Sequence, residues 1–519
     1  MTETLIRNAV IYDGTGTAPF RSSVLIQNGR IVKIGNLGQC NCSTVIDAAG
    51  LSLSPGFINT HSHMDLEMFR NTSISASIRQ GVTTECLGQD GSSVTPVKNA
   101  LLKELADNMA PLAGTIKRPY FWNSFAEYMA QVEKAKPDVR FVSLVGHGTI
   151  RMNVMGSDIR ESSAAELKAM GDLLDTCLKE GAKGLSFGLE YPPGSYALTN
   201  ELVELSKVVA RHDGIVMIHM RNEDRQLLES IREVEKIVLG SGVRLQISHF
   251  KVGGASNRGQ LRQGLKIIEA LHEKGFDISF DQYPYTAGCT GLKLLVPQWA
   301  FEGGEQGFQE RLNNVSEYTK VLKGTEELIA ARDGGGSAIM IASVVTDEYA
   351  WMSGKKMDEI AEKLGMKVSE AVLQILRHEG PAVVAIYFTQ NEDDVTFLMQ
   401  NDLHCVCTDG IAGAHPHPRM FSSFPRFLGR YVRDKKLMPL ETAIRKITLE
   451  PARRLRLWDR GIIREGMSGD LVLFNPETIM DTNSYSEPSI YPAGIEKVWV
   501  EGDLKFSSIL TSCAPGEKI

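Results

Sequence analysis

Five side chains able to bind a metal ion each stand just after a strand-like run, and this arrangement constrains the fold more than any other feature. The five are His61, His63, His219, His249 and Asp409. A strand alternates its side chains, so His61 and His63 project from one face and converge on one point. Ligands at the ends of several strands are typical of a barrel of parallel strands, whose active site lies at that face.

The middle of the chain alternates strand-like and helix-like segments, as βαβ units do. Strand-like residues 140–145 precede a predicted helix over 164–180, and residues 184–189 precede a second helix over 200–211. No Gly-x-Gly-x-x-Gly turn follows the first strand, which favours a closed eight-stranded barrel over an open sheet. The alternation lapses in the Gly-rich residues 291–342, which we interpret as an insertion packed beside the barrel.

Both ends of the chain read as short strands joined by turns. The Asn28-Gly29 step between alternating apolar runs predicts a β-hairpin. Because chain ends commonly lie near each other, we expect the two ends to pair in one small β domain. The predicted division is a β domain of residues 1–55 and 455–519, a barrel of residues 56–290 and 343–454, and the insertion of residues 291–342.

Composition describes an ordinary globular protein. The 519 residues are 43% hydrophobic and carry a formal net charge of -7, enough for a large core and at least two domains. This charge favours neither nucleic acid nor an anionic membrane as a partner. The first eight residues lack the basic and apolar regions of an export signal, so we expect a cytoplasmic protein. Cys40 and Cys42, like Cys405 and Cys407, are interpreted as small buried residues in a reducing compartment.

The candidate ligands suit zinc or a similar borderline ion. Neutral imidazoles and a carboxylate donate lone pairs without redox chemistry. A metal with an open coordination position makes hydroxide available at neutral pH and polarises a carbonyl, which predicts hydrolysis of an amide or ester. Asp409 follows a strand, so its carboxylate could both touch the metal and hold the proton of the attacking water.

Eight short segments carry a resemblance to a known family. They are residues 55–63, 81–84, 188–193, 219–223, 247–251, 283–288, 408–410 and 415–419. With these segments the chain resembles the metal-dependent amidohydrolases, and within them the D-aminoacylases, also called N-acyl-D-amino-acid deacylases. The resemblance runs nearly end to end, and Lys251, Tyr283 and Arg419 with their neighbours point to the D-aminoacylase branch.

The resemblance implies a distorted TIM barrel with a β-sandwich made of both chain ends, hydrolysing the amide bond of N-acyl-D-amino acids. It implies one or two Zn²⁺ ions, with His219 and His249 holding the principal ion. His61 and His63 would face that ion or hold a second one. Asp409 would be the general base that later protonates the leaving amine.

The resemblance also implies a site for the α-carboxylate of the substrate. Its residues would be Lys251, Tyr283 and Arg419, with Tyr191 nearby, and a guanidinium is well shaped to bind a carboxylate through two hydrogen bonds. The expected partner is therefore a small N-acyl-D-amino acid. A homo-oligomer is left open.

One segment departs from the family pattern. The family's metal-bridging cysteine sits in a Gly-Asn-Cys-Gly turn, whereas this chain has Gly-Gln-Asp-Gly over residues 88–91, with Asp90 in the place of the cysteine. A carboxylate still binds zinc but shifts the preference towards oxygen-loving ions. Glu190, just past the fourth strand-like run, is a second carboxylate that could bridge two metals or lie at the rim of the site.

Two other readings remain open at this stage. A cyclic-amide hydrolase such as a hydantoinase or dihydroorotase shares the histidines, but it needs no Arg and Lys clamp for a free carboxylate. Such enzymes typically use a carboxylated lysine on the fourth strand. A metal-free scaffold of the same fold is the other reading, and it requires ligand losses that this sequence does not show.

Overall fold

Parallel strands form the central part of the computed structural model, which describes residues 3–37, 42–70, 75–113, 122–156 and 158–508. One sheet contains Phe57–Asn59, Val82–Leu87 and Arg140–Ser143. A second sheet runs, in spatial order, through Val145–Gly146, Gly184–Gly188, Ile215–His219, Arg244–Ile247, Ile278–Gln282 and His404–Val406.

The two sheets close into one barrel. Leu144 alone separates Arg140–Ser143 from Val145–Gly146, so these two segments are halves of the third strand. At the other seam, Ser62 and Gly410 form a parallel bridge, and the Asp409 N–H donates to the His61 carbonyl at 2.9 Å. Within the described residues the barrel therefore has eight strands, which confirms the predicted TIM barrel.

Helices cover the outside of the barrel. They are Glu67–Arg70, Ser75–Ile78, Leu102–Ala113, Phe125–Ala135, His147–Met155, Ala164–Lys179, Thr199–Arg211, Leu227–Ser241, Arg258–Glu273, Glu392–Met399, Arg419–Arg426, Phe427–Asp434, Leu440–Ile447 and Leu449–Arg454. In Ala164–Lys179, Ser163 and Glu166 form a capping box that satisfies two backbone N–H groups at the helix start. Met170, Leu174 and Leu178 then recur on one buried face of this helix, which packs it on the barrel.

Both chain ends contribute to one β domain, as predicted. Among the described residues its sheet has eight strands, Glu3–Ile11, Phe20–Gln27, Arg30–Gly35, Thr44–Asp47, Ser52–Pro55, Leu471–Phe474, Ile495–Val500 and Asp503–Ser507. Ser52–Pro55 pairs with both Leu471–Phe474 and Glu3–Ile11, so it joins the two ends of the chain. Asn28 and Gly29 have φ angles of 50° and 77°, the positive values that a tight hairpin turn requires.

A third sheet, counted after the closed barrel and the sheet of the β domain, stands apart from the barrel. It is antiparallel and consists of Gly288–Gly291, Val384–Tyr387 and Ile339–Ser343. The helices Gly304–Asn313, Val315–Ala330, Met357–Leu364 and Val368–Glu379 pack with it around one apolar core. Val384–Tyr387 falls within residues 343–454, which were predicted to belong to the barrel, but it lies in this sheet instead, because an apolar run is equally buried in either place. The limits of the insertion at 291 and 342 stay a prediction.

Two smaller expectations concern the cysteines and membranes. Cys86, Cys177, Cys289, Cys405 and Cys407 are free and buried, as expected. Cys42 instead takes part in a disulfide bond, while Cys40 lies outside the described residues. In the described ranges, no helix has the length and apolar character needed to cross a membrane.

Candidate metal centre and active site

The carboxylate of Asp90 lies between two pairs of histidines at the ends of the barrel strands. Its Oδ1 is 3.4 Å from Nε2 of His61, and its Oδ2 is 3.4 Å from Nε2 of His63. The same Oδ1 lies 3.5 Å from Nε2 of His249 and 3.7 Å from Nδ1 of His219. Asp90 thus occupies the position between both pairs, where a single carboxylate can serve two ions.

Asp409 faces the first histidine pair from the opposite side. Its Oδ1 lies 3.2 Å from Nε2 of His63 and 3.6 Å from Nε2 of His61. All of these side chains are buried. These side chains form two overlapping groups with metal-binding geometry, one of His61, His63, Asp90 and Asp409 and one of Asp90, His219 and His249. A third such group, on the far side of His219, consists of Glu190, His219 and Glu223.

The donor atoms of this centre fit a bound cation. Four buried atoms have no hydrogen-bond partner within the described ranges, namely both ring nitrogens of His61, Nε2 of His63 and Oδ1 of Asp90. Buried polar atoms normally have such partners, so four orphaned donors and acceptors at one point indicate a ligand that satisfies them together. Imidazole nitrogens and carboxylate oxygens are the donor set that zinc binds.

Backbone geometry at the strand ends is unusual at three ligand positions. Asp90, His249 and Asp409 have φ angles of 53°, 36° and 48°, in the left-handed region that residues other than glycine seldom adopt. Such positions cluster at functional sites, where the surrounding structure holds them. A Cβ atom at Gly188 would lie 1.9 Å from the Asp90 carbonyl oxygen, so the turn that presents Asp90 requires glycine there.

Two further carboxylates contact the far side of the second histidine pair. Oε2 of Glu190 lies 3.0 Å from Nε2 of His219, and Oε1 of Glu223 lies 3.2 Å from Nδ1 of His249. A carboxylate that accepts the N–H of an imidazole fixes its tautomer and leaves the other nitrogen free to bind a metal. The geometry therefore favours Glu190 as a partner of His219 rather than as the bridging group. Asp90 contacts His219 at a different ring nitrogen and belongs to different groups of candidate ligands from Glu190.

Glu223 was not among the residues predicted for the site. It also contacts the ammonium of Lys251. Burial alone would raise the pKa of Glu223, but the Lys251 charge and the two nearby histidines lower it to about 2. The sequence signal was a glutamate four positions after the candidate ligand His219, although this spacing did not reveal the contact with His249.

Arg419 is buried beside Asp409. Its Nη1 lies 2.8 Å from Oδ2 of Asp409, its Nη2 donates to the Cys289 carbonyl at 3.1 Å, and its Cζ lies 4.4 Å from the centre of the Tyr283 ring. Burial raises the pKa of Asp409, but the Arg419 charge and the nearby histidines together outweigh burial and hold that pKa well below its usual range. Asp409 is therefore anionic.

The loop before Arg419 fixes the position of the helix that begins at Arg419. The Arg419 N–H donates to Nδ1 of His417 at 2.9 Å, and Nε2 of His417 donates to the Ala287 carbonyl at 2.9 Å. Both ring nitrogens are used, so His417 is neutral and holds the helix start of Arg419–Arg426 against the segment after the seventh strand.

The residues predicted for metal and substrate meet at one inner cavity. Its walls include His63, Asp90, Glu190, Tyr191, His219, His249, Lys251, Tyr283, Asp409 and Arg419. His61 lies directly behind this wall, with its ring 4.9 Å from that of His249. The Tyr191 ring lies 4.7 Å from the His219 ring, and its hydroxyl contacts Thr290 at 3.0 Å. The cavity opens outwards into a larger cleft between the barrel and the third sheet.

Comparison with known proteins identifies the family of this chain. The amidohydrolase family profile matches residues 44–278 and 345–505. The chain belongs to the amidohydrolase family. A D-aminoacylase of Alcaligenes xylosoxydans xylosoxydans is 33% identical over 96% of this chain and 93% of its own length. An N-acyl-D-glutamate deacylase of the same organism is 30% identical over 99% of this chain and 95% of its own.

A solved structure shows the same architecture. The N-acyl-D-glutamate deacylase of Bordetella bronchiseptica, complexed with zinc and a phosphonate that mimics the tetrahedral intermediate, is 31% identical. Its TM-score is 0.83, over 99% of this chain and 97% of that chain. These relatives confirm the D-aminoacylase branch that the eight sequence segments indicated.

Proposed function

We propose that this protein hydrolyses the amide bond of N-acyl-D-amino acids, releasing a carboxylic acid and a free D-amino acid. The observation that carries the proposal is the position of Asp90 between two histidine pairs, with the ion pair of Asp409 and Arg419 at the wall of the same cavity. The relatives named as D-aminoacylase and N-acyl-D-glutamate deacylase support it over nearly the whole chain.

The histidines and Asp90 would hold one or two zinc ions. His219 and His249 with Asp90 form one set of donors, and His61 and His63 with Asp90 and Asp409 form the other. Bound zinc supplies polarisation of the acyl carbonyl and lowers the pKa of water. The tautomers of His219 and His249 would be held by Glu190 and Glu223 on their far sides.

Asp409 would move the proton. Its Oδ2 is held by Arg419, while its Oδ1 faces His61 and His63. Oδ1 is therefore the atom placed to take a proton from the attacking water and to return it to the leaving amine. The two oxygens of one carboxylate thus have separate tasks.

Four side chains would hold the α-carboxylate of the substrate, namely Tyr191, Lys251, Tyr283 and Arg419. A guanidinium has five N–H donors, and Nε of Arg419 has no hydrogen-bond partner among the described residues. An ammonium has three donors, and Lys251 directs part of this capacity to the carboxylate of Glu223. Charge-assisted hydrogen bonds from both cations would select substrates with a free carboxylate.

The cyclic-amide alternative finds less support. The fourth barrel strand, Gly184–Gly188, contains no lysine, and Lys183 precedes it at the end of the strand opposite the site. Asp90 already occupies the position between the histidine pairs. An assay of N-acetyl-D-methionine, its L-enantiomer and a 5-substituted hydantoin tests the proposal. We expect hydrolysis of the D-amide alone, whereas preferential opening of the hydantoin ring would overturn the assignment.

The protein's location and assembly belong to the same proposal. We expect it in the cytoplasm. A homo-oligomer stays a prediction, for which sedimentation of the purified protein is the measurement.

A further inference from the structure

Arg332 stands where the third sheet and its helices meet the mouth of the barrel. It follows the helix Val315–Ala330 and lines both the inner cavity and the larger outer cleft. In the inner cavity it shares the wall with Lys251 and Arg419, the proposed binding groups for the α-carboxylate. A substrate held in this cavity would therefore meet three cationic side chains.

The guanidinium of Arg332 differs from that of Arg419 because no described residue provides it with a counter-ion. Arg419 pairs with Asp409, whereas among the described residues no carboxylate lies within 4.0 Å of Arg332. Its Nε is buried and has no hydrogen-bond partner in the part of the chain that the structure describes. Its Cζ instead lies 4.8 Å from the centre of the Tyr387 ring, which holds the group in place through a cation–π contact.

A half-buried cation without an acceptor is costly unless a ligand provides one. The nearby cavity wall is partly apolar, with Leu112, Leu294 and Ile411 among its residues. Arg332 therefore offers planar, fixed donors for an anion beside surface that suits aliphatic carbons. A guanidinium binds a carboxylate through two parallel hydrogen bonds, a geometry that an ammonium does not reproduce.

We propose that Arg332 binds a second carboxylate of the substrate, so that the preferred substrates are N-acyl-D-amino acids with two acidic groups. This inference rests on the proposed function. The second carboxylate has two chemical sources, the side chain of the amino acid, as in N-acetyl-D-glutamate, or a dicarboxylic acyl group, as in N-succinyl-D-alanine. Lys251 and Arg419 serve the α-carboxylate in both cases.

Matched substrates and variants test the proposal. N-Acetyl-D-glutamine and N-acetyl-D-alanine are the uncharged counterparts of the two dicarboxylates. We expect Arg332→Gln to lower kcat/KM about tenfold to hundredfold on one dicarboxylate, the range for a charged hydrogen bond, and about twofold or less on its counterpart. The dicarboxylate whose hydrolysis is affected shows whether the second carboxylate belongs to the amino-acid side chain or to the acyl group. Arg332→Lys should restore only part of the loss.

Arg225 provides the control. It is exposed and lines the outer cleft but not the inner cavity, so Arg225→Gln removes the same charge at a distance. Arg225→Gln should change all four rates alike. Equal losses on charged and neutral substrates in Arg332→Gln, or a wild-type enzyme without preference for either dicarboxylate, would overturn the inference and leave the proposed function intact.

Failure of the proposed function has a different signature. It would appear as a wild-type protein that hydrolyses none of the four compounds. Calorimetric binding of N-acetyl-D-glutamate, N-succinyl-D-alanine and their neutral counterparts to the zinc-loaded wild type and Arg332→Gln would then decide the inference separately. Weaker binding of just one of the two dicarboxylates to the variant supports the inference about Arg332. Unchanged binding of both dicarboxylates contradicts that inference.

Discussion

Asp409 and Arg419 form a buried ion pair in which Nη1 of the arginine lies 2.8 Å from Oδ2 of the aspartate. The pair keeps the carboxylate anionic and directs its other oxygen, Oδ1, towards His61 and His63. The proposed base and the proposed substrate-binding arginine are therefore coupled, and substitutions at either position report on both.

Asp409→Asn should abolish hydrolysis while leaving the fold and most of the metal in place. An amide cannot accept the proton of the attacking water, so the loss in kcat should exceed the roughly hundredfold lower bound for a general acid or base. Steady-state kinetics with metal analysis of the same sample measures both. A variant that turns over at nearly the wild-type rate would show that another residue is the base.

Arg419→Gln should weaken hydrolysis of N-acetyl-D-methionine more than hydrolysis of the corresponding α-carboxamide. Loss of a charged hydrogen bond predicts a fall in kcat/KM of about tenfold to hundredfold on the free carboxylate. The carboxamide has no α-carboxylate for Arg419 to bind. Its smaller fall in kcat/KM therefore measures only the effect of removing Arg419 from Asp409. Equal losses on both compounds would mean that Arg419 acts through Asp409 alone.

Asp90→Ala should release metal or abolish activity, because the centre loses the anionic donor that lies between both histidine pairs. Asp90→Cys should still bind zinc, since thiolate is a good zinc ligand. Its activity depends on whether a thiol reaches the same point. Glu190→Gln is the matched control and should retain metal, because Glu190 contacts His219 from the far side.

Metal content decides between the two carboxylates. Full occupancy and normal turnover in Asp90→Ala, with metal loss in Glu190→Gln, would reverse the assignment of the bridging group.

Glu201 supports the fold away from the metal centre. It accepts from His147 Nε2 at 2.8 Å and from Arg151 Nη1 at 2.6 Å, and all three side chains are buried. Burial alone would raise the pKa of Glu201, but the His147 and Arg151 contacts lower it to about 2. Glu201→Gln should lower the free energy of unfolding by about 3–5 kcal/mol at pH 7, as breaking a buried pair does.

The pH dependence of this loss has a definite sign. A carboxylate whose pKa is lowered by folding stabilises the protein above its ordinary value of 4.5, and that stabilisation disappears as the pH falls towards about 2. Urea unfolding should show the wild type and Glu201→Gln converging over this range. Glu204→Gln, on the exposed side of the same helix, should stay within about 0.5 kcal/mol of wild type. A pH-independent difference at Glu201 would contradict this account.

Much of the barrel could be predicted from local patterns. The helices Ala164–Lys179 and Thr199–Arg211 each differ by one residue from their predicted limits of 164–180 and 200–211, because a periodic apolar face marks their extent. The convergence of His61, His63 and the later ligands followed from strand alternation and the common edge of parallel strands.

Other features depend on tertiary contacts that no local pattern encodes. The strand Val384–Tyr387 is a short apolar run, and such a run is equally compatible with the barrel or with the third sheet. Glu190 and Asp90 are both carboxylates after strands, and only the side of His219 that each contacts distinguishes the roles that we propose for them. Arg332 follows a helix far along the chain from every ligand, so its place in the inner cavity required the structure.

Hydrolysis by metal-depleted and zinc-reconstituted protein tests the central claim most directly. The substrates are N-acetyl-D-methionine and its L-enantiomer, with released acetate as the readout. We predict that chelation removes activity on the D-enantiomer, that zinc restores it, and that the L-enantiomer is hydrolysed at least about tenfold more slowly throughout. Metal-independent turnover, or equal rates on both enantiomers, would contradict a zinc-dependent N-acyl-D-amino-acid deacylase.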